Sequence, residues 1–178
     1  MATQLTDIDL PLQVAHFQRI DVLRRNDDHD VTAGYALGNG EEAVIATVRV
    51  RALSDAILPP LTTERVTDPS TSAQSLQASI AQVRHFYPDA ALRDIRTVYL
   101  VKRGMLQGGR AATLRYEDML AGQRQKIDLD IYMFCCVDRG KAYEFRIRHA
   151  ADNNVGHLAV SFMQALSWSH GSDSDADR

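Results

Sequence analysis

The sequence has little material for covalent staples or metal cages. Its 178 residues include 2 cysteines and 1 tryptophan. The cysteines, Cys135 and Cys136, are adjacent in an alternating run, where neighbouring side chains point to opposite faces, so they are poorly placed to bridge each other. No C-x-x-C spacing marks a redox pair. The histidines, at positions 16, 29, 85, 149, 157 and 170, form no H-x-x-x-H pair on a helix face, which leaves zinc without a site. Long apolar runs are also missing. No stretch approaches the roughly 18 apolar residues of a membrane span, and the first ten residues lack both a basic and an apolar signal region. A cytoplasmic protein is therefore expected, or a periplasmic one if a leader has been removed. There is no excess of positive charge either: 20 Lys and Arg stand against 23 Asp and Glu, for a net charge of -3. That excludes the electrostatic footprint of a nucleic-acid or anionic-membrane binder.

What is present is ordinary globular material, with 45% hydrophobic and 24% charged residues. A chain of this length buries a full core without staples. We expect a single α+β domain over residues 1–170 and a disordered acidic, serine-rich tail over residues 171–178. The expected architecture is an antiparallel sheet of about six to seven strands packed against helices as an α/β/α sandwich.

Alternation over residues 14–25 and 31–37, separated by the polar run Asn26-Asp27-Asp28-His29-Asp30, reads as a hairpin. Gly38-Asn39-Gly40 makes the next turn before a strand over residues 43–51. Residues 53–72 hold three of the five prolines and read as a long connection. Leu76, Ile80, Val83 and Tyr87 then recur at helical spacing, with Ser72 as N-cap and Pro88 as stop. Strands follow over residues 95–102, 110–117, 126–137 and 142–149, with glycine-bearing loops at residues 104–109 and near Gly122. A second helix after Asp152-Asn153-Asn154 carries Val155, Leu158, Ala159, Phe162, Met163 and Leu166 on one face.

The hairpin over residues 127–149 is the clearest element. Ile127, Leu129, Ile131, Met133, Cys135 and Val137 share a core face; Asp128, Asp130, Tyr132, Phe134 and Cys136 share the other. A three-residue loop, Asp138-Arg139-Gly140, would pair Met133 with Phe145, Ile131 with Ile147 and Asp130 with Arg148. A five-residue loop would keep those faces and shift the pairing by two.

The tight glycine turn, the strand AYEFRIRHAA over residues 142–151 and the amphipathic helix running into Leu166-Ser167-Trp168 resemble the C-terminal half of bacterial uncharacterised proteins of the PsbP/Mog-like fold. The resemblance covers residues 125–168. It implies an antiparallel sheet between helices and a non-enzymatic assembly, binding or accessory role, and it carries no catalytic residues.

Candidates for chemistry weaken on inspection. The run from Gly104 to Ala111 misses the phosphate-binding loop, since Arg110 and Ala111 stand where Lys and then Ser or Thr are needed. Asp27, Asp28, His29 and Asp30 are consecutive, a spacing that rarely converges on one cation. No serine sits in a G-x-S-x-G turn. No catalytic residue, metal ligand or cofactor is assigned.

Two binding readings remain. Arg49, Arg51, Arg115, Asp130, Tyr132, Arg146 and Arg148, with Glu144 beside them, would share the polar face of the sheet and grip a small anion or metabolite if that face is concave. If it is flat, its charges neutralise one another. Met105-Leu106 and Met119-Leu120 repeat an M-L-x-G-x-R pattern at opposite ends of the sheet, either capping the core or offering apolar contacts to a protein partner. The partner reading is preferred, and a homodimer through an edge strand is a third expectation.

Overall fold

The computed structural model describes residues 9–24, 30–52, 66–67, 69–102, 104–138 and 141–166. The expected tail, Trp168 and the Asp27-Asp28-His29 cluster lie outside the described residues, and Asp30 is the one member of that cluster inside them. Among the described residues the molecule is an antiparallel sheet carrying two α-helices. In chain order the strands are β1 (Gln13–Val14), β2 (Phe17–Arg24), β3 (Asp30–Leu37), β4 (Val44–Ala52), β5 (Val66–Thr67), β6 (Ala91–Lys102), β7 (Met105–Leu120), β8 (Gln123–Asp138) and β9 (Lys141–Ala150); the helices are α1 (Ala73–Phe86) and α2 (Gly156–Ala165).

Spatially the order is β1-β2-β3-β4-β9-β8-β7, and β7 carries β6 on its far side. The two-residue β5 pairs in parallel with Leu106 and Gln107 of β7. Those residues already face β6 on one side, so β5 must take the side that β8 occupies farther along, and the sheet is eight strands wide. That exceeds the expected six to seven, because β1 is too short to show any alternation in sequence; β5, equally short, extends the lane of β8. β7 also departs from expectation: it starts at Met105, so residues 105–109 are strand instead of loop. Gly109 has a steric reason to be there. A Cβ at this position would lie 2.6 Å from both the Met133 carbonyl oxygen and the Phe134 ring.

A helix covers each face. On one, Leu76, Ile80 and Val83 of α1 pack on Ala112, Leu114, Tyr116, Ile127, Leu129, Ile131 and Met133. Ser72 occupies the N-cap position of α1, but its hydroxyl accepts the Cys135 backbone N–H at 2.9 Å and does not cap the helix. On the other face, Ala159, Phe162, Met163 and Leu166 join a cluster that runs from Phe17 and Tyr35 to Leu100 and Ala111. Phe162 meets the Phe17 ring at 4.9 Å and the Tyr35 ring at 5.1 Å. At its C-terminal end, the carbonyls of Gln164 and Leu166 accept hydrogen bonds from Lys102 of β6. On a flat sheet β2 and β6 would stand about 29 Å apart, six steps of about 4.8 Å. A helix of ten residues, about 15 Å long, touches both, so the sheet curls around α2.

The pairing of β8 with β9 differs from the expected register by one residue. Met133 stands opposite Glu144, Tyr132 opposite Phe145, Ile131 opposite Arg146 and Asp130 opposite Ile147, with an irregularity between Cys135 and Asp138. A shift of one reverses which residues share a face.

Candidate functional site

That reversal divides the expected arginine-rich face in two. Arg49, Arg51, Arg146 and Arg148, with Glu144, lie on the α1 side, whereas Arg115, Asp130 and Tyr132 lie on the α2 side with His149. The group therefore does not converge on one ligand, and nearly all of its charges are engaged. Arg49 holds Asp30 through Nε at 2.9 and 3.0 Å and through Nη2. Arg146 donates to Glu144, to Ser79 at 2.9 Å and to Gln82 at 2.7 Å, which fastens the polar side of α1 to β9. Arg148 donates to Asp118 at 2.8 Å and to the Met119 carbonyl at 3.1 Å. Asp118 also accepts the Tyr87 hydroxyl at 2.6 Å; this bond pushes the Tyr87 pKa up to about 12 and lowers that of Asp118.

The α2 side holds a buried polar network. Arg115 meets Asp128 in a two-pronged contact at 2.7 and 2.8 Å and reaches Asp152 at 2.7 Å. Burial pushes Asp128 up, but the Arg115 bonds, the Asp152 backbone N–H and the nearby His149 together outweigh it and hold the carboxyl below its usual range. Thr113 donates to Asp130 at 2.6 Å, and Arg96 lies over the Tyr132 ring, 5.6 Å from its centroid. His149 places Nε2 3.1 Å from Asp130 and Nδ1 2.9 Å from the Ala150 carbonyl. Both neighbours are acceptors when Asp130 is ionised, so the pair holds a proton on each ring nitrogen. Burial disfavours the imidazolium, yet Asp130 and the Ala150 carbonyl more than compensate, and the His149 pKa is raised. This network braces the sheet. Among the described residues, no three His, Cys, Asp or Glu side chains gather as a metal site.

The repeated Met-Leu pairs lie at the two ends of β7, as their connections suggested. Leu106 is exposed and Met119 is 53% exposed, whereas Leu120 is buried, so the second pair is part cap and part surface. The Met105 side chain lies outside the described residues. Around Leu106 the sheet brings together residues that the spacing argument missed. The cross-strand pairs Thr97–Arg110, Tyr99–Gly108 and Val101–Leu106 lie side by side on the α1 face. Tyr99 is 55% and Val101 57% exposed. Arg110 donates Nη1 to Thr97 at 3.0 Å, but its Nε is buried without a partner, and among the described residues no carboxylate pairs with it. A signal existed in the sequence: Val98-Tyr99-Leu100-Val101 is apolar at both parities, and only one parity faces the α2 core.

A cleft of about 480 Å³ opens where α1 gives way to β6, walled by Phe86, Tyr87 and Tyr116 and rimmed by Glu117, Arg124 and Lys126. No protein-family model and no curated protein matches the chain. No helix among the described residues is long and apolar enough to cross a membrane.

Proposed function

We propose that this is a non-enzymatic binding protein, an accessory or assembly factor in the manner of PsbP/Mog-like proteins, and that it receives a protein partner along β6. The observation that carries the reading is the apolar trio Tyr99, Val101 and Leu106 beside Arg110, which has no carboxylate partner among the described residues, where the twelve-residue edge strand β6 lies against β7. Among the described residues β6 pairs only with β7, which leaves its outer row of backbone groups open to strand addition. The chemistry specifies the occupant: an extended segment with apolar side chains toward Tyr99 and Val101 and a carboxylate that reaches Arg110 past the short Thr97. A second copy of β6 fits less well, because its α1-face residues Ile95, Thr97, Tyr99 and Val101 include no acid.

The small-anion reading loses ground, since Arg49, Arg115, Arg146 and Arg148 are already bonded within the fold. A photo-crosslinking residue at position 101, used in the native host, tests the proposal. It should capture a segment of another protein that carries apolar and acidic residues, and Arg110→Glu should cut the yield at least tenfold while circular dichroism stays unchanged. Crosslinks to a second copy alone, or yields indifferent to Arg110→Glu, overturn it.

A further inference from the structure

Beyond that edge the sheet has a second opening, and it is a cleft. β6 begins at Ala91, opposite Arg115, so its pairing with β7 stops there. β7 continues to Leu120, still paired with β8 as far as Gln123. Among the described residues, Tyr116–Leu120 thus have β8 on one side and no strand on the other. Tyr116, Asp118 and Leu120 turn their backbone groups to β8, so Glu117 and Met119 face the open side. The Met119 N–H already donates to Asp118 at 2.8 Å and its carbonyl accepts from Arg148, which leaves the N–H and carbonyl of Glu117 for a ligand. The 480 Å³ cleft sits over the start of this open stretch, in the track β6 would occupy if it were longer. Its size falls in the range of ligand sites.

The walls indicate what fits. Phe86 is 68% exposed at the end of α1, and Tyr87 stacks on Tyr116 with centroids 4.1 Å apart, giving an aromatic wall backed by buried structure. The rim is mixed in sign. Asp89 and Glu117 balance Arg124 and Lys126, Arg124 lies 3.8 Å from Glu117, and Arg115 is occupied by Asp128 and Asp152. A rim whose charges cancel is a poor trap for a free anion. It suits a ligand held mainly by backbone hydrogen bonds, with an apolar side chain on the aromatic wall.

We infer that this cleft binds a short extended peptide, whose backbone pairs with the N–H and carbonyl of Glu117 and which seats an apolar or aromatic side chain against Phe86. Lys126, which has no side-chain partner among the described residues, then selects an acidic residue or the peptide's terminal carboxylate. The site is separate from the outer edge of β6, and the two stand or fall independently.

A phage-displayed library of random octapeptides, panned on the full-length protein, provides the probe. Enriched peptides, made synthetically, should slow hydrogen exchange at the amide of Glu117. Phe86→Ala and Lys126→Glu, both at exposed positions, should each weaken them at least tenfold, and Val101→Lys should leave their affinity unchanged. Peptides that lose affinity with Val101→Lys but not with Phe86→Ala belong to β6 and overturn this assignment. Failure to enrich any peptide, or binding with no change in exchange at Glu117, overturns it as well.

Discussion

At the scale of single residues, His149 makes the sharpest demand on the chemistry. Its side chain is 4% exposed and that of Asp130 12%, and the ring sits between that carboxylate and the Ala150 carbonyl. Asp128 is its cross-strand neighbour on β8, and Val44 faces it from β4. Because the folded pKa of His149 is raised above the unfolded value near 6.5, the stability from the pair is fully present below about pH 6.5 and is lost as pH rises through the folded pKa. The thermal midpoint of the wild type should therefore fall as pH rises above about 6.5 and through the folded pKa. His149→Gln should remove that part of the pH profile, and Asp130→Asn should cost about 3 kcal/mol by stranding a buried partner. Nitrogen-15 spectra of the ring at pH 6 should show both nitrogens protonated. A neutral ring at that pH would refute the assignment. Asp118 and Asp128 act in the opposite sense: their lowered pKa values give stability that is present above about pH 4 and is lost as acid protonates them.

At the scale of elements, turns carry conformational costs that can be measured. The β7–β8 hairpin closes through Ala121 and Gly122, with Leu120 paired to Gln123, and both turn residues have positive φ, 50° and 81°. Glycine tolerates that region; alanine does not do so readily. Ala121→Gly should stabilise the fold by about 1 kcal/mol, read as a shift of the urea midpoint, and Ala121→Val should destabilise it. Equal midpoints for all three proteins would show that the turn is not strained. The same hairpins show what was legible in the sequence. Both helices were visible, because Leu76, Ile80 and Val83, and Ala159, Phe162 and Met163, recur at one period on one side. Strands β2 to β4 and β6 to β9 were visible as alternation bounded by glycine and polar turns. The register of β8 on β9 was not. With α1 on one face and α2 on the other, Asp128, Asp130, Tyr132 and Phe134 are buried as well as Ile127, Leu129, Ile131 and Met133, so hydrophobicity alone could not choose between adjacent registers. The irregularity between Cys135 and Asp138 then decided it. The expected arginine site inherited that ambiguity and separated onto two faces.

At the scale of the molecule, the sheet is one surface held by two unequal clamps. α1 packs mainly on the β7–β8 region, with Ile45 of β4 and Leu92 and Ile95 of β6 at the margins of its cluster, and is fastened laterally to β9 through Ser79, Glu144 and Arg146. α2 reaches from β2 and β3, through Phe17 and Tyr35, to the end of β6 through Lys102, and Phe162 is the ring common to Phe17, Tyr35 and Phe145. The curl of the sheet thus depends on α2 far more than on α1. Phe162→Ala should cost about 3–5 kcal/mol through the cavity it leaves, and the loss should be uneven. Without that ring, β2 and β3 keep their ladder bonds but lose the contact that joins them to the opposite half, so their amides should exchange several-fold faster, while those of β7 and β8 under α1 change little. Ile80→Ala should give the complementary pattern, loosening α1 and sparing β2 and β3. Hydrogen exchange read strand by strand separates the two, and a uniform acceleration in both variants would mean that the halves unfold as a single cooperative unit.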